Sequence, residues 1–215
     1  MRTVIFANGE LSFPEETRAL IQPGDYLIAA DGGLRNMLSL GVTPNMVVGD
    51  MDSLDEREGA EILSNSAELI QHAREKDQTD LELAVAEAAG RGGNPIIITA
   101  ALGGRLDMTI ANLMLLAADD LKNADIRIHD GSQEAFIVRG HRKVVGKKGD
   151  RLSLVAVGGP ARGIRTEGLR YPLSDEALHT GETRGISNVM SADQADIWVA
   201  EGILLCIHTH QIEEQ

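Results

Sequence analysis

Asp50 and Asp52 form the first pair of residues in this sequence whose types and spacing indicate chemistry. In an extended segment, carboxylates two residues apart point to the same side of the chain. Neighbouring carboxylates repel each other, and a hard divalent cation such as Mg²⁺ is the usual partner that relieves this repulsion. A solvated acidic turn that caps the next helix through Ser53 is the structural alternative. Further acids follow other predicted strands, and they favour the metal-binding interpretation.

A second acidic segment, residues 76–80, precedes a predicted helix. Asp80 falls in the first helical turn, where the helix dipole alone favours an acid. Lys76 and Asp77 lie before Thr79, the predicted N-cap, so helix capping does not explain them. We expect this segment to complete a metal site with the two aspartates described above.

The third candidate is the run Gly103-Gly104-Arg105, which precedes another predicted helix. Glycines let the backbone approach a phosphate, the helix N-terminus supplies N–H donors, and arginine adds a charged fork. No Gly-Lys-Ser/Thr follows, so this is not a Walker-type loop. A tight strand-to-helix turn without a ligand is the alternative.

The first 130 residues alternate short β-rich runs with helical patterns, which predicts a doubly wound, mostly parallel α/β sheet with helices on both faces. Consecutive apolar residues such as those at 96–98 indicate strands that are buried on both sides. Thr79 and Glu82 form a capping box, and Gly41 ends another helix. The predicted strands are 2–7, 26–30, 46–48, 69–71, 95–99 and 126–129, and the predicted helices are 15–21, 34–40, 56–63, 81–89 and 107–121.

The candidate residues share one position in this fold, because each directly follows a predicted strand. In parallel α/β sheets, ligands bind beyond the carboxyl ends of the strands, near the point where the strand order reverses. Glycines and carboxylates recur at these ends, as Asn8-Gly9, Asp31-Gly32-Gly33, Gly49 to Ser53 and Ala100 to Asp107. We therefore expect one binding site at this edge of the sheet.

The pattern changes after Gly131. Residues 133–138, 151–157, 162–171 and 197–209 are β-prone and interrupted by glycines, and residues 146–150 are typical of a hairpin loop. This predicts two domains, an α/β domain over residues 1–130 and a small all-β, sandwich-like domain over residues 131–215.

The charge distribution agrees with two domains and limits the partners. Residues 1–130 carry 22 acidic and 10 basic residues, whereas residues 131–215 carry 11 and 10, within a net charge of −13. An acidic first domain repels nucleic acid and anionic membranes unless cations intervene. The apolar runs are too short for a membrane span, and the N-terminus lacks a secretory pattern. Because the lone cysteine, Cys206, has no partner for an intrachain disulfide, we expect a cytoplasmic protein.

Four residues near the C-terminus are further candidates. His208 and His210 could share one strand face as metal ligands, but a solvated strand end is favoured. For Trp198, core packing is favoured over stacking on a ligand, and Cys206 is expected to be a core residue.

Five short motifs resemble those of the thiamine pyrophosphokinase family in their order and approximate spacing. They are Ala-Asp-Gly-Gly at 30–33, Gly-Asp-Met-Asp-Ser at 49–53, Asp-Gln-Thr-Asp at 77–80, Gly-Gly-Arg-Leu-Asp at 103–107 and Gly-Ile-Ser-Asn at 185–188. The resemblance spans essentially the whole chain. One position departs from it, because many bacterial relatives have histidine where this sequence has Met108.

This resemblance implies an α/β domain that binds ATP and Mg²⁺, a β-sandwich that contributes to a thiamine site, and a homodimer with its active site near the subunit interface. The thiamine hydroxyl would attack the β-phosphorus of ATP, and AMP would leave. The implied metal ligands are Asp50, Asp52 and Asp80, and the implied thiamine-contacting residues are Ser187 and Asn188. We expect nucleotide binding by Asn8, Asp31, Gly32, Gly103, Gly104, Arg105 and Asp107, and catalytic roles for Asp52, Asp77, Asp80 and Arg105, with Asp77 or Asp80 as the proton acceptor.

Two other functions remain open from the sequence. One is a pyrophosphokinase for a different alcohol, such as a hydroxymethylpterin, which would use the same nucleotide half and a different pocket in the second domain. The other is a non-catalytic module that senses thiamine or a nucleotide.

Overall fold

A computed structural model describes residues 1–50 and 67–211. The chain divides into two compact units, Met1–Gly131 and Ser132–Gln215, which we call the α/β unit and the β unit. None of the helices in the described ranges combines the length and the apolar character that crossing a membrane requires.

The described part of the α/β unit is a parallel sheet flanked by helices. Neighbouring strands run parallel in the order β4-β3-β2-β1-β5-β6, so the order reverses between β1 and β5. This confirms the predicted fold class. The strands are β1 (Thr3–Phe6), β2 (Tyr26–Ala30), β3 (Met46–Gly49), β4 (Glu68–Gln71), β5 (Ile96–Thr99) and β6 (Ile126–Asp130), and the helices are α1 (Pro14–Leu20), α2 (Gly33–Ser39), α3 (Asp80–Gly90) and α4 (Leu106–Leu115).

Both faces of this sheet are buried, as the consecutive apolar residues predict. On one face, Val4 and Phe6 of β1 pack with Leu34 and Met37 of α2. The next residue along β1, Ile5, points to the other face and is also fully buried. The apolar side of α3, including Ala84, is buried, and α3 contacts β1, β2, β3 and β5.

The helix boundaries follow the local chemistry, with one exception. The Thr79 side chain accepts a hydrogen bond from the Glu82 amide at 3.1 Å, which confirms the predicted N-cap of α3. The predicted helix 107–121 is wrong in length, because α4 ends at Leu115 and the following amides bond three residues back instead of four. Acids at 119 and 120 would also face the negative end of the helix dipole. The predicted helix 56–63 lies outside the described residues.

The β unit is a sandwich-like arrangement of antiparallel strands around one apolar core. The first part of β9 pairs with β13, which also pairs with β7, while the end of β9 pairs with β12, which pairs with β8. Short strands β10 and β11 pair with β9. The strands are β7 (Gln133–Val138), β8 (His141–Val145), β9 (Arg151–Glu167), β10 (Glu176–Leu178), β11 (Asn188–Val189), β12 (Gln194–Trp198) and β13 (Glu201–Thr209).

Several expectations for the β unit are wrong. Residues 146–150 link β8 to β9 without forming a hairpin, because β8 pairs with β12 instead. Residues 151–157 and 162–171 were expected as two strands, yet β9 runs continuously from Arg151 to Glu167 through the glycines that interrupt its pattern. A period of two predicts a strand, but it does not identify the partner of that strand.

The expected core packing of Trp198 is also wrong, because this residue lies outside the core cluster of the β unit. It is half-buried in a row across three strands, with the His141 ring stacked 4.9 Å from its ring and the Arg165 guanidinium 4.7 Å from it on the other side. Cys206, in contrast, is fully buried in the core as expected.

The contact between α2 and β1 is testable at one glycine. A Cβ on Gly33 would lie 1.9 Å from the Phe6 carbonyl oxygen, whereas a Cβ on Gly90, at the end of α3, would meet nothing within 4 Å. We expect Gly33→Ala to lower the free energy of unfolding by about 1–3 kcal/mol, because the backbone must move to make room. Gly90→Ala should leave it unchanged or raise it by up to about 1 kcal/mol. Urea unfolding, monitored by circular dichroism, measures both variants. Equal unfolding midpoints for the two would contradict this packing.

Candidate functional site

A cleft of about 520 Å³ lies beyond the carboxyl ends of the parallel strands. The loops that follow β1 and β5 form part of its wall, so it sits where the strand order reverses, as expected for ligand binding in such sheets. The polar residues and glycines that line it are Asn8, Gly9, Glu10, Asp31, Thr79, Asp80, Gly103, Gly104, Arg105 and Asn112.

The backbones of these two loops are hydrogen-bonded to each other. The Gly9 amide donates to the Ala100 carbonyl at 2.7 Å, and the Glu10 amide donates to the Leu102 carbonyl at 3.0 Å. A Cβ on Gly9 would lie 2.5 Å from the Ala100 oxygen, so only glycine permits this approach. The two strand ends therefore meet as a continuous hydrogen-bonded base under the cleft.

Two asparagines on helices hold these loops from behind. Asn36 of α2 donates from Nδ2 to the Ala7 carbonyl at 2.9 Å and to the Gly9 carbonyl at 3.2 Å. The buried Asn112 of α4 donates from Nδ2 to the Ala101 carbonyl at 2.7 Å. Each amide satisfies carbonyl oxygens that would otherwise be left buried in a turn.

Carboxylates from neighbouring strand ends lie at the same edge. Asp31 directly follows β2 in a left-handed conformation (φ 47°), and its amide donates to the Val48 carbonyl at 2.8 Å. Asn8 approaches the Asp31 carboxylate, with Nδ2 3.4 Å from Oδ2. Asp50 follows the adjacent strand β3. Asn8 and Asp31 thus line the cleft together, whereas Asp50, which follows the neighbouring strand, is not among the lining residues. Asp52 lies outside the described residues.

The segment before α3 contributes one acid to the cleft and a lysine beside it. Asp80 lines the cleft, and its Oδ1 lies 2.5 Å from the Lys76 Nζ, with both side chains partly buried. Lys76 therefore offsets one of the negative charges at this edge. Asp77 precedes the Thr79 cap and is exposed.

The predicted glycine loop borders the cleft and leads into α4. Gly103 and Gly104 both have positive φ angles, of 82° and 66°. The Arg105 side chain is 74% exposed and forms an ion pair with Asp107, with Nη2 2.6 Å from Oδ2. The hydrogen bond from Arg105 lowers the pKa of the Asp107 carboxyl. Gly32, the remaining predicted nucleotide-binding residue, packs against the Asn8 side chain.

In the β unit, Asn188 shapes a smaller cavity of about 190 Å³. Its Nδ2 donates to the Tyr171 carbonyl at 2.7 Å, and its Oδ1 accepts from the Tyr171 amide at 3.1 Å. The side chain is thus engaged with backbone that forms the cavity wall. The adjacent Ser187 is exposed, has a positive φ angle of 60°, and donates from its amide to the Ser153 hydroxyl at 3.0 Å.

Sequence reasoning missed several residues of these sites. Glu10 lines the large cleft and could have been found, since it follows β1 one residue after Asn8-Gly9. Asn36 and Asn112 lie within helices, where no local pattern distinguishes them from surface asparagines. Met108 lines the cleft as an apolar residue at the position where the resemblance leads one to expect histidine.

A parallel sheet with a glycine loop and carboxylates at its switch point is typical of α/β proteins that bind phosphorylated ligands. Comparison with family models gives two matches in order along the chain. Residues 17–128 match the thiamin pyrophosphokinase catalytic domain, and residues 139–204 match the thiamin pyrophosphokinase vitamin B1 binding domain. The chain belongs to the thiamine pyrophosphokinase family.

Individual relatives agree over nearly the full chain. The thiamine pyrophosphokinase of Bacillus subtilis is 27% identical over 212 residues, which cover 97% of this chain and 99% of that protein. Its crystal structure matches with a TM-score of 0.87 at 24% identity, covering 99% of this chain and 100% of that one. The structure of the Candida albicans thiamin pyrophosphokinase matches with a TM-score of 0.80 at 15% identity, covering 97% of this chain and 88% of that one. At these identities, the structural matches establish the fold.

Asn112 provides a test of how the cleft is supported. Asn112→Ala leaves the Ala101 carbonyl buried without its donor, so we expect the free energy of unfolding to fall by about 1–3 kcal/mol. Asn123 is exposed, and Asn123→Ala should change it by less than about 0.5 kcal/mol. Urea unfolding measures both. An Asn112 variant as stable as the Asn123 variant would show that the amide does not hold the loop.

Proposed function

We propose that this chain transfers the pyrophosphate group of Mg-ATP to the hydroxyl of thiamine and releases thiamine diphosphate and AMP. As a member of its family, the chain is an enzyme of the transferase class. The observation that carries the proposal is the cleft at the switch point, where carboxylates and a glycine loop meet within the α/β unit. This is the chemistry that a metal-bound triphosphate requires.

For ATP, we propose that the triphosphate binds at the loop before α4. Backbone amides around Gly103 and Gly104 can approach phosphate closely, and the N-terminus of the ten-residue helix α4 favours an anion. Arg105 is exposed at this point, so its guanidinium can exchange Asp107 for a phosphate oxygen. The other residues of the proposed nucleotide-binding site are Asn8, Asp31, Gly32 and Asp107.

The donor set at the strand ends fits Mg²⁺, which prefers carboxylate oxygens. We propose that Asp50 and Asp80 hold the ion together with Asp52. When bound, Mg²⁺ would offset the charge of the triphosphate. Lys76, now paired with Asp80, supplies the neighbouring positive charge. Asp80 lines the cleft whereas Asp77 is exposed, so Asp80 is the better proton acceptor for the thiamine hydroxyl.

For thiamine, we propose binding in the β unit near Ser187 and Asn188. The small cavity beside Asn188 has apolar walls from Leu154, Pro172 and Leu173, with Tyr171 and Arg184 also lining it. Because the Asn188 amide is engaged with the Tyr171 backbone, its proposed role is to hold the wall of the thiamine site.

We also propose a cytoplasmic homodimer. The buried single cysteine is compatible with a reducing compartment. For the dimer, α4 presents Leu106, Ile110 and Met114 along one face, and these side chains are 73%, 51% and 43% exposed. Residues four apart on a helix share a face, so they form an apolar row that a second copy could cover.

Product analysis tests the proposed reaction. Incubation with Mg-ATP and thiamine should give AMP and thiamine diphosphate in equal amounts, and chelation of Mg²⁺ should stop the reaction. ADP with thiamine monophosphate would contradict the proposed transfer. Consumption of ATP with a hydroxymethylpterin but not with thiamine would reassign the substrate, and absence of turnover with either alcohol would indicate a sensing module.

Asp80 provides a direct test of the carboxylate cleft. Asp80→Asn keeps the size of the side chain and removes its charge, so we expect kcat to fall by at least about 100-fold at saturating Mg²⁺. Asp119→Asn, which changes an exposed acid of the same unit, should keep parental activity. Near-parental turnover by the Asp80 variant would remove this residue from the site.

The two proposed substrate sites can be separated by kinetics. Asn188→Ala frees the Tyr171 backbone, so we expect the KM for thiamine to rise by about tenfold or more while the KM for ATP changes little. The KM for ATP serves as the internal control. An equal rise in both constants, or a rise for ATP alone, would contradict a thiamine site in the β unit.

A further inference from the structure

A second group of potential metal ligands lies in the β unit. Glu134, His208 and His210 each present one ligand atom, a carboxylate oxygen or an imidazole nitrogen, and these atoms lie within 4.8 Å of one another. The group differs in kind from the carboxylates of the α/β unit, because two of its three members are histidines.

Strand pairing brings the three side chains together. Glu134 of β7 lies directly opposite His208 of β13 in antiparallel register, and directly opposite residues project to the same face. His210 follows two residues later, and its amide donates to the Ser132 carbonyl at 2.8 Å, so the chain remains beside β7. The same face of these strands carries Phe136 and Cys206 of the apolar core. The group therefore stands where the core of the sandwich ends.

Burial contradicts the solvated strand end expected for His208. Its side chain is only 1% exposed, as is that of Asp150, and the two are 2.9 Å apart between Nε2 and Oδ2. Asp150 also accepts hydrogen bonds from the backbone amides of Lys147 and Gln211, at 2.9 and 3.0 Å. The loop before β9 and the C-terminal end of β13 with the residues that follow it thus fix the orientation of the His208 ring.

This contact favours one tautomer of His208. When Nε2–H donates to Asp150, the lone pair of the ring lies on Nδ1. A carboxylate that accepts the second N–H of a histidine is a common support for metal-binding histidines, because it fixes both the tautomer and the ring orientation. The loop packs tightly here, since a Cβ on Gly146 would lie 2.6 Å from Asp150 Oδ2 and 2.8 Å from the His208 ring.

The other two ligands give access from solvent. The His210 side chain is 41% exposed, and Glu134 is half-buried. We propose that Glu134, His208 and His210 form a binding site for one divalent transition-metal ion of the Zn²⁺ type, with Asp150 as the residue that orients His208. Two imidazoles and one carboxylate are a common protein ligand set for Zn²⁺, with a water molecule in the fourth position. Mg²⁺ prefers oxygen ligands in an octahedral arrangement and would not favour this site.

Bound metal would link β7 to the end of β13. The alternative is a purely structural polar network, in which Asp150 closes the end of the core through its contacts with His208 and with His210, whose Nδ1 lies 3.5 Å from Asp150 Oδ2. Both arrangements place the same residues together, but only the first requires Glu134 and His210 for metal affinity.

Calorimetric titration of the full chain with Zn²⁺, after treatment with a chelator, distinguishes a metal site from a purely structural network. Excess Mg²⁺ is present throughout so that it occupies sites made of oxygen ligands. We expect one Zn²⁺ per chain, and we expect Glu134→Gln and His210→Ala each to weaken its binding by at least about tenfold. Co²⁺ in place of Zn²⁺ should give the visible absorption of a four- or five-coordinate ion in the parental protein, and this signal should be lost in both variants.

Both substitutions leave the buried Asp150–His208 contact in place, and circular dichroism verifies that each variant is folded. His179→Ala is the matched control, because His179 is exposed in the same unit and lies outside the group. Its Zn²⁺ affinity should equal that of the parental chain. Absence of Zn²⁺ binding by the parental chain, or equal affinity in the parental chain and in Glu134→Gln and His210→Ala, would overturn the proposal.

Discussion

The hydrogen bonding between the loops after β1 and β5 is the interaction on which the proposed nucleotide site depends. In a doubly wound sheet, the chain leaves these neighbouring strands toward opposite edges, which opens a crevice between the loops. Here the amides of Gly9 and Glu10 bond to carbonyls of the β5 loop and close the base of that crevice. Glycine at position 9 is a requirement of this geometry, because any side chain would meet a carbonyl oxygen.

The electrostatics of the cleft follow from this arrangement. Parallel strands end at one edge, so the acids that follow them come close together, and Glu10, Asp31 and Asp80 line the same space. Close carboxylates destabilise a fold unless cations accompany them. Lys76 supplies one positive charge within the chain. The proposed Mg-ATP would supply the remainder, so a cleft that is unfavourable alone becomes favourable for a metal-bound triphosphate.

The sequence predicted the parts of the fold that depend on local pattern. The bounds of β2 agree with the prediction at both ends, because its apolar run is bounded by Asp25 and by Asp31-Gly32. Asp31, Asp80 and the glycine loop were found because they follow strands or open helices. Asn36 and Asn112 were missed because their importance arises from contacts with distant loops. The partner of β8 and the burial of His208 are likewise properties of tertiary pairing, which no local window contains.

We propose that the base formed by the β1 and β5 loops positions the nucleotide. The most direct measurement is the dissociation constant for Mg-ATP, by calorimetry, in Gly9→Ala and Gly90→Ala, with circular dichroism to verify that both variants are folded. A Cβ at position 9 forces the loops apart, whereas a Cβ at position 90 meets nothing within 4 Å. We expect affinity weakened by about tenfold or more in Gly9→Ala and parental affinity in Gly90→Ala. Parental affinity in a folded Gly9→Ala protein would contradict it.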